Sequence, residues 1–243
     1  MKNETELLGA LLIKTTELTD RRISSFIDSA DIPESEKALF EEIKTALENP
    51  SLGAEQIRTL VSKFDTDANS LSSARAVLFV LSRLGRGVDE SASWLGMSAY
   101  CVYRCLPFVY AALRCRMLVK AKRFDYPRWE KKTVAVFGDA AGEITAREKE
   151  EKTCCESAVQ NRIDTAFSCA VQIIGFLHEV PDLYPLFERF AASGGCLSYA
   201  PFGISRSDMR TAMKHAKDVQ GGTGILRLLS DFGRLNEAVK EIL

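Results

Sequence analysis

The chain has 243 residues, 46% hydrophobic and 27% charged, with a formal net charge of −1. That is the composition of a globular chain long enough to bury a core, and the near-zero charge excludes a global field that would recruit nucleic acid or an anionic membrane. No apolar run approaches the roughly 20 residues needed to span a bilayer. The opening MKNETELLGALLIK carries a short apolar patch, but Glu4 and Glu6 precede it. No basic leader or small-residue cleavage site frames that patch, so no signal peptide is expected. Seven cysteines, an odd number with irregular spacing, then fit free thiols in a reducing cytoplasm.

Helical periodicity dominates the rest of the chain. Leu39, Phe40, Ile43, Ala46 and Leu47 form one apolar stripe, with Pro33 suited to the start of the helix. Ile57, Leu60, Val61 and Phe64 form a second. Leu71, Ala74, Val77, Leu78, Leu81 and Leu84 form a third, with Ser70 as its expected N-cap. Residues 71–114 share the layout of a helix-turn-helix: a helix through Val77 and Leu81, a short one with Ala92 and Leu95, the turn LGMS, and a third helix from Ser98. That third helix offers only Arg104 as a cation, and Pro107 would kink it, so it suits burial better than a DNA groove. Cys101 and Cys105 share a helix face, but CxxC spacing is missing and no zinc site is expected.

The cationic signal comes later. Between 114 and 132 stand Arg114, Arg116, Lys120, Lys122, Arg123, Arg128, Lys131 and Lys132, against Asp125 and Glu130. Phe124, Tyr126 and Trp129 are interleaved with them. Cations and aromatics together grip phosphates and stack on bases. Arg114, Arg116, Lys120, Lys122, Arg123, Arg128 and Trp129 are therefore the candidate nucleic-acid contacts, set against a plain solvated helix end and surface loop. TVAVFG at 133–138 alternates and carries β-branched residues; with no partner strand in the chain, irregular structure is expected there over a strand. Pro127, the basic cluster and Gly138 make 125–138 a candidate sub-boundary within one domain of 1–243. AREKEEK at 146–152 alternates in sign and reads as an exposed helix face. Val159, Ile163, Ala166, Phe167, Ala170, Ile173, Ile174, Phe176 and Leu177 predict one long, central, nearly buried helix, closed by His178 on the helix dipole. Joints are expected at 65–69, 85–89, 125–132 and 194–203.

Ser205 and Asp208 form an S-x-x-D capping signature before Met209, Ala212, Met213, Ala216 and Val219, which repeat at helical spacing. Gly221-Gly222-Thr223-Gly224 then poses a choice. Backbone N–H groups at Gly221, Gly222 and Thr223 suit an anion at the start of the next helix. No strand enters the turn, however, and GxxxxGK[ST] is absent, so helix punctuation with Gly221 as the cap is the expected role.

Taken whole, FGISRSDMRTAMKHAKDVQGGTGILRLLSDFGRLNEAVKEIL resembles the C-terminal end of glycerol-1-phosphate dehydrogenases, which belong with the iron-containing alcohol dehydrogenases and dehydroquinate synthases. Gly203-Ile204-Ser205 stands for the helix start, Met209–Val219 for the amphipathic helix, Ile225-Leu226 for the following pair, and Leu235–Leu243 for the closing helix. HEVPDLYPLFERFAASGG, just before, is similar in layout. The resemblance is carried mainly by residues 180–243 and implies the helical half of a dehydroquinate synthase-like fold. It implies no activity. The family's nucleotide-binding half has no counterpart here, and neither His178 nor His215 stands in the family's His-Gly-Glu metal context.

The expectation is an all-α, multi-helix bundle in the cytoplasm, with no cofactor and no metal. It would act as a non-catalytic interaction protein that packs against itself or a protein partner, away from the membrane. The alternative is a nucleic-acid-binding protein using 71–114 and 114–132. A third reading is an enzyme whose site forms only in three dimensions, marked by a deep pocket with perturbed carboxylates or with His178 or His215.

Overall fold

Helix α1 (Glu4–Asp28) runs through the middle of the molecule, packed against helices from both halves of the chain. The computed structural model describes residues 3–29, 31–49, 52–63, 71–89, 91–115, 119–220 and 222–243. Asn3 and Glu6 close a capping box at the start of α1. Its buried side chains are apolar at first, from Leu7 to Ile13, and then include Lys14, Thr15, Thr16, Glu17, Thr19 and Asp20. A helix enclosed on every side has no single apolar stripe, so periodicity does not report it. The polar half stays satisfied. Thr15, Thr16 and Thr19 donate to the carbonyls four residues earlier at 2.8–2.9 Å, and Glu17 pairs with Arg75 and Lys14.

Around α1 stand α2 (Glu34–Leu47), α3 (Ala54–Ser62), α4 (Ser73–Arg83) and α5 (Ala92–Tyr103). The first three follow the stripes of the sequence, although Ser72 caps α4; Ser70 and Phe64 lie outside the described residues. In α5 the structure corrects the sequence. Leu95–Ser98, expected as a turn, is helical, and Gly96, Met97 and Ser98 are buried. No helix starts at Ser98, so 71–114 does not form a helix-turn-helix. The break falls at Arg104–Cys105, and Pro107 lies in the first turn of α6 (Leu106–Arg114), where its missing N–H is harmless.

A second correction is α7 (Tyr126–Phe137). It covers the segment expected as irregular chain, the joint at 125–132 and the candidate boundary at 125–138. Asp125 accepts the Arg128 N–H as N-cap, and Pro127 again sits in the first turn. Thr133 and Phe137 are buried while Val134 is exposed, so the apparent alternation is one flank of a helix. A 3-10 turn (Gly138–Ala140) leads into α8 (Ala141–Glu151).

The long central helix expected at 159–177 is two helices, α9 (Glu156–Ser168) and α10 (Ala170–Glu179), separated at Cys169 (φ −94°, ψ 11°). Only Ala170, Ile173 and Phe176 are buried in α10, and Val171 points into solvent, so this pair flanks the core and α1 is its centre. The chain ends with α11 (Tyr184–Ala192), a 3-10 turn (Ala200–Phe202), α12 (Arg206–Val219), α13 (Ile225–Asp231) and α14 (Leu235–Ile242). α12 opens with the reciprocal Ser205–Asp208 box. The architecture is all-α among the described residues, with one apolar core cluster drawn from Leu7 through Ile242. Among these residues no helix is long and apolar enough to cross a membrane.

Candidate functional site

The glycine-rich loop between α12 and α13 is bound to carboxylates that α1 supplies. The Thr223 N–H donates to Asp28 Oδ2 (2.8 Å) and Ser24 Oγ (3.0 Å), and the Thr223 hydroxyl donates to Asp28 Oδ1 (2.6 Å). The Ile225 N–H donates to Asp20 Oδ1 (2.6 Å). Gly222 has φ +88°, the left-handed region where glycine carries no steric cost, and redirects the chain there. Gly221 lies outside the described residues. Of the three N–H groups expected to meet an anion, that of Thr223 already meets a carboxylate built into the protein.

Beside this loop opens a polar cavity of about 570 Å³. Its walls come from α7, α8, the turn before α9 and α9 itself, the ends of α1 and α12, the glycine-rich loop, and α13. The carboxylate of Asp218 is buried at its base. It accepts from Lys217 Nζ (2.7 Å), from His215 Nδ1 (2.9 Å), and from Trp129 Nε1 (3.3 Å). Burial alone would push Asp218 up; the Lys217 ammonium and then His215 outweigh it and hold the carboxyl well below the usual range. Stability from Asp218 is therefore complete above about pH 3.9 and is lost as pH falls toward the depressed folded value. Asp218→Asn should cost roughly 1–2 kcal/mol at neutral pH, short of a fully buried pair because Lys217 keeps partial solvent contact. Urea titrations should show that difference shrinking below about pH 4; a constant difference would contradict the pairing.

Cys154 also lines the cavity, but burial pushes its thiol up, which makes it a wall and not a nucleophile. Cys101 is likewise pushed up by burial, to about 12. Among the described residues no group of three or more His, Cys, Asp or Glu is placed to hold a metal.

The cationic candidates lie elsewhere. Arg114, Lys120, Lys122, Arg123 and Arg128 are exposed, as are Lys131 and Lys132; Arg116 lies outside the described residues. Trp129 is a correction. It is buried, packs against Tyr126 (5.4 Å between ring centroids) and Phe124 (5.6 Å), and gives its N–H to Asp218. The aromatics between the cations therefore pack on one another, tilted or edge-on, and hold α7 down. The two acids of the stretch are also engaged, Asp125 as the α7 cap and Glu130 with Lys149 (3.4 Å). Two further cations join from α12. Lys214 is held low by burial, then by Arg210 and by Lys132, which places these three within range of one another. Among the described residues none of these nine cations has a carboxylate within ion-pair distance.

Of the cavity's lining, sequence reasoning singled out Gly222 and Thr223, as part of an anion site, and Trp129, as a nucleic-acid contact, but none of its charged groups. Arg147 and Glu148 sit inside AREKEEK, whose alternating signs suggest a solvated face, yet Glu148 is buried and Arg147 half-buried. His215 fits the sign named for a spatially assembled site, although it touches Asp218 from behind and does not line the cavity. His178 lines a separate cavity of about 420 Å³, where it packs edge-on against Tyr110.

The fold and these two features define an all-α protein with an uncompensated cationic face and a polar cavity. No family model, curated protein or solved structure matches the chain.

Proposed function

We propose that the chain is a non-catalytic helical interaction protein whose partner is nucleic acid, held through its phosphates by the face formed by residues 120–132 and by Arg210 and Lys214 on α12. One observation carries this reading: the eight cations of this face have no carboxylate partner among the described residues, while the acids interspersed among them serve a helix cap and Lys149. A row of like charges repels itself and is retained at a cost unless an anion covers it. The expected apolar docking face has less support. Among the described residues the exposed large apolar side chains are Val134, Val171 and Tyr184, on three different helices. With Trp129 buried, the contact supplies charge and little base readout, so binding should be insensitive to sequence.

Five or so phosphate contacts should weaken duplex binding about 10²–10³-fold between roughly 50 and 200 mM salt. Fluorescence anisotropy on a labelled duplex measures this directly. The variant with Lys122, Arg123, Arg128 and Lys131 all changed to Glu should lose binding while melting like the wild type, since all four side chains are exposed. Absence of wild-type binding at low salt, or equal binding by the variant, rejects the proposal; binding to polyglutamate but not to the duplex would reassign the face to an acidic protein.

A further inference from the structure

The polar cavity is lined by Arg147, Arg162 and Arg227 and by the carboxylates of Asp28, Glu148, Glu151 and Asp218, and among the described residues not all of these charges are paired. Arg162 is neutralised by Asp231 through hydrogen bonds of 2.7 and 3.2 Å, and Asp218 by Lys217 and His215. Arg147 and Arg227 have no carboxylate partner among the described residues. They hold the last carbonyls of α12 instead: Arg147 Nη2 donates to the carbonyl of Asp218 at 2.7 Å, and Arg227 Nη2 donates to that of Lys217. Both arginines line the cavity. A guanidinium has five N–H donors in a plane that fits an oxyanion. The structure gives Arg147 one acceptor and Arg227 two, the second being Thr153 Oγ1 at 3.4 Å.

Glu148 is the complement. It is buried, has no cationic partner among the described residues, and accepts the Cys154 N–H (2.7 Å) and the Thr153 hydroxyl. The Thr153 hydroxyl therefore links Glu148 to Arg227. Asp28, exposed at the cavity's edge, accepts from Ser24 and Thr223 and has no cationic partner within ion-pair distance among the described residues. Cations favour helix C-termini, so capping of α12 explains one bond for each arginine. It does not explain why a buried carboxylate without a cation shares their cavity, whose size falls in the range of small-molecule sites.

We infer that the cavity binds a small zwitterion, its oxyanion held by Arg147 and Arg227 and its amine by Glu148, with Asp28 at the entrance. Phosphate and carboxylate share the required planar acceptor pairs, and two probes separate them: phosphoethanolamine and β-alanine. Calorimetry on the full chain should show at least one of these binding about tenfold or more tightly than inorganic phosphate, acetate or ethanolamine alone. Arg147→Gln should weaken that zwitterion at least about tenfold. Glu148→Gln should weaken it similarly and leave the weak affinity for the simple anion unchanged.

Amide NMR on the wild type keeps the test independent of how well the variants fold. The zwitterion should shift Thr153, Cys154 and Thr223 and leave 120–132 untouched. The four-fold charge-reversed protein should bind the zwitterion as the wild type does, which separates this inference from the nucleic-acid reading. No binding of either zwitterion at about 10 mM, equal binding of the simple anion, or shifts confined to 120–132 would overturn it.

Discussion

Asp20→Ala should destabilise the protein by about 3–5 kcal/mol, the magnitude for removing the charged member of a buried network. Its carboxylate accepts from the Ser73 N–H (2.7 Å), the Ser73 hydroxyl (2.7 Å), Gln220 Nε2 (3.3 Å) and the Ile225 N–H (2.6 Å). Ser73 and Ile225 are the first residues of α4 and α13, so two helix N-termini place otherwise orphaned donors on one anion. The alanine variant leaves those donors buried and empty, which costs more than the bonds themselves contributed. Asp20→Asn should fall between, because its amide offers one acceptor oxygen and turns N–H groups toward N–H groups.

The pH dependence gives a second readout. Burial pushes the Asp20 carboxyl up, against the pull of the Ile225 and Ser73 hydrogen bonds, and its net shift is upward. The folded pKa then exceeds the unfolded value of about 3.9, so the proton-linked stability is complete below that value and is lost as pH rises through the folded pKa. The gap between wild type and Asp20→Asn should accordingly narrow across that window in urea titrations. An alanine variant as stable as the wild type, or an asparagine gap that widens with pH, would remove Asp20 from its place as the joint of α1, α4, α12 and α13.

What the sequence made legible depends on whether the signal was local. The Ser205–Asp208 box and the stripe from Met209 to Val219 read correctly because capping and one-sided burial are encoded within a few residues. α1 was hidden because it is buried on all sides and its second half is polar. Residues 133–138 suggested anything but a helix because Val134 and Val136 are β-branched, and the burial of Trp129, Thr133 and Phe137 overrides that weak propensity. LGMS looked like a turn for its glycine, yet Gly96 is there so that the Phe190 ring can lie against the α5 backbone. The cavity's charged groups were illegible for a different reason. They come from α1, α8, α9, α12 and α13, and only the fold makes Arg147 and Glu148 face inward from a run that alternates in sign.

The same logic of backbone approach predicts opposite outcomes for two glycines in helices. At the α1–α5 contact, a Cβ on Gly9 would lie 2.8 Å from the Ala92 carbonyl oxygen and 2.9 Å from its Cα. Those are backbone atoms of the first residue of α5 and cannot rotate away. Gly9→Ala gains about 1 kcal/mol of helix propensity. It must also push apart two helices whose facing residues, Leu8, Leu12 and Ala99 among them, are fully buried. Overpacking on that scale costs about 3 kcal/mol or more, so the net loss should be about 2–3 kcal/mol. Gly175 in α10 is the contrast: nothing lies within 4 Å of its would-be Cβ, and the residue is exposed. With no steric term to oppose propensity, Gly175→Ala should stabilise by about 0.5–1 kcal/mol. Thermal and urea unfolding of the two variants side by side should move in opposite directions. If Gly9→Ala also stabilises, α1 and α5 are not in backbone contact, and the central position assigned to α1 is wrong.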